Sequence, residues 1–96
     1  MVTRETLLEK RDAILQTAAR HGASNVRLFG SVARGDTVPE SDVDFLVDLE
    51  PGRALLDLGG LLMDLEDLLG CSVDVAIERA LRSRVKEEAL RDAVPL

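Results

Sequence analysis

Ninety-six residues, 46% of them apolar, suffice for one hydrophobic core but not two, so a single domain spanning residues 1–96 is expected. A net charge of −6, from 18 acidic and 12 basic residues, argues against a protein that holds duplex nucleic acid by neutralising phosphates. The single Cys71 excludes an internal disulfide and reads as a small apolar residue, and no apolar run approaches the ~20 residues of a membrane span; the expectation is a soluble, cytoplasmic protein.

In chain order, Thr3 can cap a helix, with Glu5 facing the positive end of its dipole. Leu7, Leu8, Ile14, Leu15, Ala18 and Ala19 recur at helical spacing, and Gly22 is a natural stop. His21, in the last turn, favours the negative helix end. A short strand is predicted over Asn25 to Phe29, with Val26 and Leu28 on one face and Arg27 and Phe29 on the other. Ser31 to Arg34 reads as a first helical turn after Gly30, and Gly35 to Glu40 as a loop punctuated by Gly35 and Pro39.

Asp42 to Leu49 has the clearest strand pattern in the chain, closed by Pro51 and Gly52. A leucine-rich helix from about Arg53 to Leu69 follows, with Leu55, Leu58, Leu62, Leu65 and Leu69 as its seam and Leu61 and Leu68 widening it. Gly59 and Gly60 interrupt it, marking either a kink or the close approach of another backbone. After Gly70, Ser72 to Ile77 is a third strand and Glu78 to Ala93 a last helix. The helix between the second and third strands permits parallel pairing, and the loop between the first and second suits antiparallel pairing. A two-layer α/β fold with a mixed sheet is expected, helices on one face and polar residues on the other.

The chemistry concentrates on that polar face. In the second strand Asp42, Asp44, Leu46 and Asp48 alternate with Val43, Phe45, Val47 and Leu49, so burying the apolar set projects Asp42 and Asp44 from the other side, roughly 7 Å apart at the base. By itself an Asp-x-Asp spacing suits a solvated strand face equally well, and Asp48, farther along, is assigned to such a surface. Asp74 interrupts an otherwise apolar third strand and joins the pair if that strand lies beside the second. Crowded carboxylates repel unless cations or protons are bound. An all-oxygen donor set favours Mg²⁺, with Mn²⁺ as the alternative. Gly30-Ser31, between a strand and a helical turn, offers backbone N–H groups and a hydroxyl to an anion.

The three elements Gly30-Ser31-Val32-Ala33-Arg34-Gly35-Asp36, Ser41-Asp42-Val43-Asp44 and Val73-Asp74-Val75 together resemble the minimal nucleotidyltransferases of the DNA polymerase β superfamily. The resemblance covers nearly the whole chain and implies the polymerase β-like two-layer mixed-sheet fold. It implies that Gly30 and Ser31 grip the β and γ phosphates of a nucleoside triphosphate, with ATP as the default. Asp42 and Asp44 would ligate two Mg²⁺ ions, and Asp74 would complete the metal site or accept the proton of the attacking hydroxyl. Arg34 would either neutralise phosphate or hold the acidic loop. Asp36 and Ser41 would order that loop.

Larger relatives of this superfamily carry domains that bind the acceptor, and no stretch here is left over for one. Minimal members typically pair with a helical HEPN toxin as its antitoxin, some by adding AMP to a tyrosine hydroxyl. A HEPN-type partner, a hetero-oligomer and no membrane are therefore expected. The alternative is an antitoxin that neutralises its partner by docking alone.

Overall fold

The computed structural model describes residues 3–33, 43–53 and 55–96; for Ser31, Val32, Leu55, Val85, Glu88, Ala89 and Asp92 the description is of the backbone. Two helices open the chain where one was predicted: α1 (Arg4–Glu9) and α2 (Arg11–Arg20), with Lys10 at φ −96° and ψ 12° between them. The run Glu9-Lys10-Arg11-Asp12 offers the core no apolar side chain, and the chain bends there. Lys10 instead reaches across to donate through Nζ to the Leu68 carbonyl oxygen at 3.2 Å. Thr3 caps α1 as expected, its hydroxyl accepting from the Thr6 amide at 3.1 Å. Gly22 ends the helical segment at φ +74°, a left-handed conformation that glycine adopts without the clash of a Cβ.

Strand β1 (Ala23–Phe29) is followed directly by a single helical turn, α3 (Gly30–Ala33). Then come β2 (Val43–Leu49), α4 (Leu55–Leu69) and β3 (Val73–Ile77). The sheet order is β3-β2-β1-β4, with β1 antiparallel to β2 and β2 parallel to β3. Both pairings match expectation, and α4 is the crossover that parallel pairing demands. The last helix departs from its predicted span. A 3₁₀ turn (Glu78–Ala80) precedes α5 (Ser83–Asp92), and the chain then extends into β4 (Val94–Pro95), a fourth strand antiparallel to β1. Pro95 accounts for the extended end, because a residue before proline is driven out of helical geometry and proline itself fits a sheet edge. Leu96 is buried, its amide donating to the Val26 carbonyl at 3.0 Å and its carbonyl accepting from Arg11 Nε at 2.8 Å.

Leu7, Ile14 and Ala18 from the first two helices, Leu61 and Leu65 from α4, and Leu28, Val43, Phe45 and Val47 from the sheet form one core. Cys71 packs against it, partly exposed. The opposite face of the sheet is less open than predicted, for Leu46 is fully buried and Arg27 is 8% exposed. A bulge sets the position of Arg27: Ser24 pairs with Asp48 and Arg27 with Leu46, so Asn25 and Val26 oppose a single residue, with Asn25 at φ 50°. Arg27 then bonds Asp48 at 3.3 Å and Glu78 at 3.2 Å, and Asn25 donates to Asp48 at 3.0 Å. Asp48, assigned to a solvated surface, is thus a structural partner.

Phe45 lies at 0% exposure in the middle strand. Phe45→Ala is expected to lower the unfolding free energy by about 3–5 kcal/mol, read from the urea midpoint with the denaturant slope unchanged.

Candidate active site

Strand alternation carries Asp44 to the face opposite Val43, Phe45 and Val47, which are at most 1% exposed against the helices. Asp44 is aligned with Phe29 on β1 and with Asp74 on the parallel strand β3. Neighbouring strands run about 4.8 Å apart, so the two aspartates stand side by side on one face. Asp44 is half-buried and Asp74 exposed.

The turn after β1 comes up against Asp44. Gly30 has φ +74°, and a Cβ built there would fall on Oδ2 of Asp44. Glycine is thus required twice, for its backbone conformation and for the space the carboxylate occupies. The residue-level expectation placed phosphate in that space; the group found closest is Asp44 itself. Ser31 is the second residue of α3, immediately beyond. Asp42, directly before β2 in the sequence, and Arg34, directly after α3, lie outside the described residues, as do Asp36 and Ser41.

Among the described residues, then, two carboxylates of the predicted three are brought together, and one of them, Asp44, abuts the glycine turn. Their donor set is oxygen only, which fits a hard divalent cation such as Mg²⁺ and does not fit a soft-metal site. The described part of the chain contains no group of three His, Cys, Asp or Glu side chains that could hold a metal, so a cation here needs a further ligand from Asp42, substrate or water.

Elsewhere His21 has a partner that the sequence reading did not find. Its Nε2 lies 2.6 Å from Oδ2 of Asp64 on α4. Gly60 makes room for the imidazole, since a Cβ there would stand 2.9 Å from Cε1. The close approach at Gly60 is thus by a side chain and not by a backbone: Gly60 seats a ring, and Gly59 has nothing within 4 Å. A glycine one turn before an acid on the same helix face was the available signal. An open groove of about 510 Å³, lined by Ala13, Gln16, Thr17, Ala19, Arg20 and Leu68, lies in the helical layer on the far side of the sheet from the carboxylates.

A mixed sheet bearing aligned carboxylates beside a glycine turn defines a nucleotidyl-transfer fold, and comparison with known proteins agrees. Residues 10–96 match the nucleotidyltransferase domain family, and the chain belongs to that family. It is 37% identical over 92 residues to the protein adenylyltransferase MntA of Thermococcus cleftensis, covering 91% of this chain and 93% of that one. A solved structure provisionally described as a minimal nucleotidyltransferase is 52% identical, with a TM-score of 0.89 over 99% of this chain and 97% of the other. A toxin–antitoxin crystal structure with AMP-PNP shares the fold at a TM-score of 0.76 and 19% identity, over 88% of this chain and 69% of its own.

Gly30→Ala is expected to cost about 1–2 kcal/mol from the left-handed backbone alone, and more once Asp44 is displaced. Chemical denaturation of the variant measures this; a loss under about 0.5 kcal/mol, that of an ordinary surface change, would show that the contact is not tight.

Proposed function

We propose that this protein transfers a nucleoside monophosphate, AMP from ATP, to a hydroxyl of a partner protein, as the antitoxin of a pair whose toxin is of the HEPN type. The observation that carries the reading is the alignment of Asp44 with Asp74 against Gly30. The relative named protein adenylyltransferase supports the choice of AMP and of a protein acceptor. The fold shared with a toxin–antitoxin structure supports the partner. Residues 1–96 would act as one domain, in the cytoplasm and within a hetero-oligomer; no helix among the described residues is long and apolar enough to cross a membrane.

In this mechanism the acceptor hydroxyl attacks the α-phosphorus in line, a new P–O bond forms, and the bond to the leaving pyrophosphate breaks. Gly30 and Ser31 hold the β and γ phosphates, so the reacting atoms meet in one orientation. Asp42 and Asp44 would hold Mg²⁺, two ions in the full site, and bound there the metal supplies positive charge for the attacking and leaving oxygens. Asp74, the exposed member, completes that ligand set or takes the proton of the attacking hydroxyl. Arg34 neutralises phosphate charge or holds the loop on which it lies.

Asp44→Asn is expected to lower label transfer from α-labelled ATP to the partner by about 10²-fold or more while leaving the fold intact. Label transfer at wild-type rate would refute the assignment. A second reading, neutralisation by docking alone, is favoured by the outer side of α4, where Leu56 is 89% and Met63 66% exposed. Asp42→Asn combined with Asp44→Asn separates the two in cells expressing the toxin. Full protection by the double variant means that docking suffices; lost protection with the complex still formed means that transfer is needed.

A further inference from the structure

Arg4 is the first residue of α1, where the helix dipole favours an acid and opposes a cation. Its guanidinium turns away from its own helix and donates through Nη2 to the carbonyl oxygen of Ala33, 29 residues along the chain. Ala33 is the last residue of α3 and is 4% exposed. A single helical turn cannot satisfy its own terminal carbonyls, and a cation at that end complements both the lone pair and the dipole.

The rest of the guanidinium is poorly served. Nε of Arg4 is buried and has no hydrogen-bond partner among the described residues. A partly buried guanidinium with an unmet buried donor is a poor device for stability, and a local rule broken in this way calls for a positional explanation. The position is informative. Gly30 and Ala33 are the two ends of one turn. The first end is fixed by β1 and by Asp44, and the other end is the one Arg4 grips.

We propose that Arg4 is a positioning residue for the nucleotide turn: it clamps α3 at its C-terminal end, so that Gly30 and Ser31 keep their orientation toward the phosphates and toward Asp44. The proposal rests on the reading of Gly30-Ser31 as the phosphate grip. Because one donor makes the contact, a lysine that reaches Ala33 restores most of the effect, whereas alanine restores none.

The test uses the full chain with Mg²⁺ and AMP-PNP, comparing wild type, Arg4→Ala and Arg4→Lys well below their melting temperatures. Calorimetry gives the affinity, and hydrogen exchange gives the protection of the Ala33 amide, the first in α3 that an i−4 carbonyl can accept from. Arg4→Ala is expected to weaken AMP-PNP binding about tenfold or more and to speed exchange in α3, with Arg4→Lys recovering most of both. Folded Arg4→Ala that binds within about twofold of wild type overturns the proposal, and so does faster exchange without weaker binding. If Arg4→Ala does not fold, Arg4→Gln takes its place under the same criteria, since it keeps a neutral donor without the charge or the reach. Wild type that binds no nucleotide overturns the phosphate-grip reading itself and the proposal with it; that outcome is separate from a wild type that binds and an Arg4 variant that binds equally well.

Discussion

The parallel register of β2 on β3 is the constraint on which the rest of this molecule depends. Asp44 meets Asp74, and Phe45 meets Val75, because the two strands run the same way and start level. A slip of one residue would send Asp74 to the opposite face and bury a carboxylate against Leu61 and Leu65. What prevents the slip is apolar: Val43, Phe45 and Val47 are sealed against the helices, and α4 spans the distance that a parallel return requires. The acidic pair is therefore held in place by leucines on the far side of the sheet. Chemistry and packing share one strand and are separated only by the alternation of its side chains.

The same face divides along its length. At one end Arg27, aimed by the bulge at Asn25, bonds Asp48 and Glu78, and the charges there answer one another within the chain. At the other end stand Asp44, packed against the glycine turn, and Asp74 aligned with it on β3. Four acids on one face thus serve two purposes, and the bulge marks the boundary. Arg27 is almost fully buried, so its two partners matter more than ordinary surface pairs. The buried Leu46 lies between the two ends and keeps them apart.

Much of this was legible in the residues. Alternation in residues 43–49 located the buried face, Pro51-Gly52 and Gly70 bounded the crossover helix, and the resemblance of the three acidic and glycine elements named the superfamily. What was not legible arises from contacts between distant parts of the chain. The break at Lys10 follows from a charged run that no periodic template penalises. Strand β4 is two residues long, too short for any pattern, though Pro95 argued against helix at that point. His21 and Asp64 stand 43 positions apart, and the only local trace of their meeting is a glycine in a leucine-rich helix. Arg4 carries no signal in the sequence beyond its charge, and only the fold shows that it faces a carbonyl of α3.

Two aligned carboxylates also bear on stability. Placing like charges on adjacent strands costs free energy in the folded state, and a domain of this size has little to spare, on the order of 5–10 kcal/mol in total. A cation or a metal–nucleotide complex that binds the folded pair and not the unfolded chain offsets that cost by mass action, about 2.7 kcal/mol at a ligand concentration one hundred times its Kd. On the proposed function, the site and the fold would thereby be linked. On that same reading, the pair that would receive the cation would also make the sheet more stable with its ligand than without it. The glycine at position 30 tightens the link, because the turn that would receive the phosphates is packed directly on one of the carboxylates that would receive the cation.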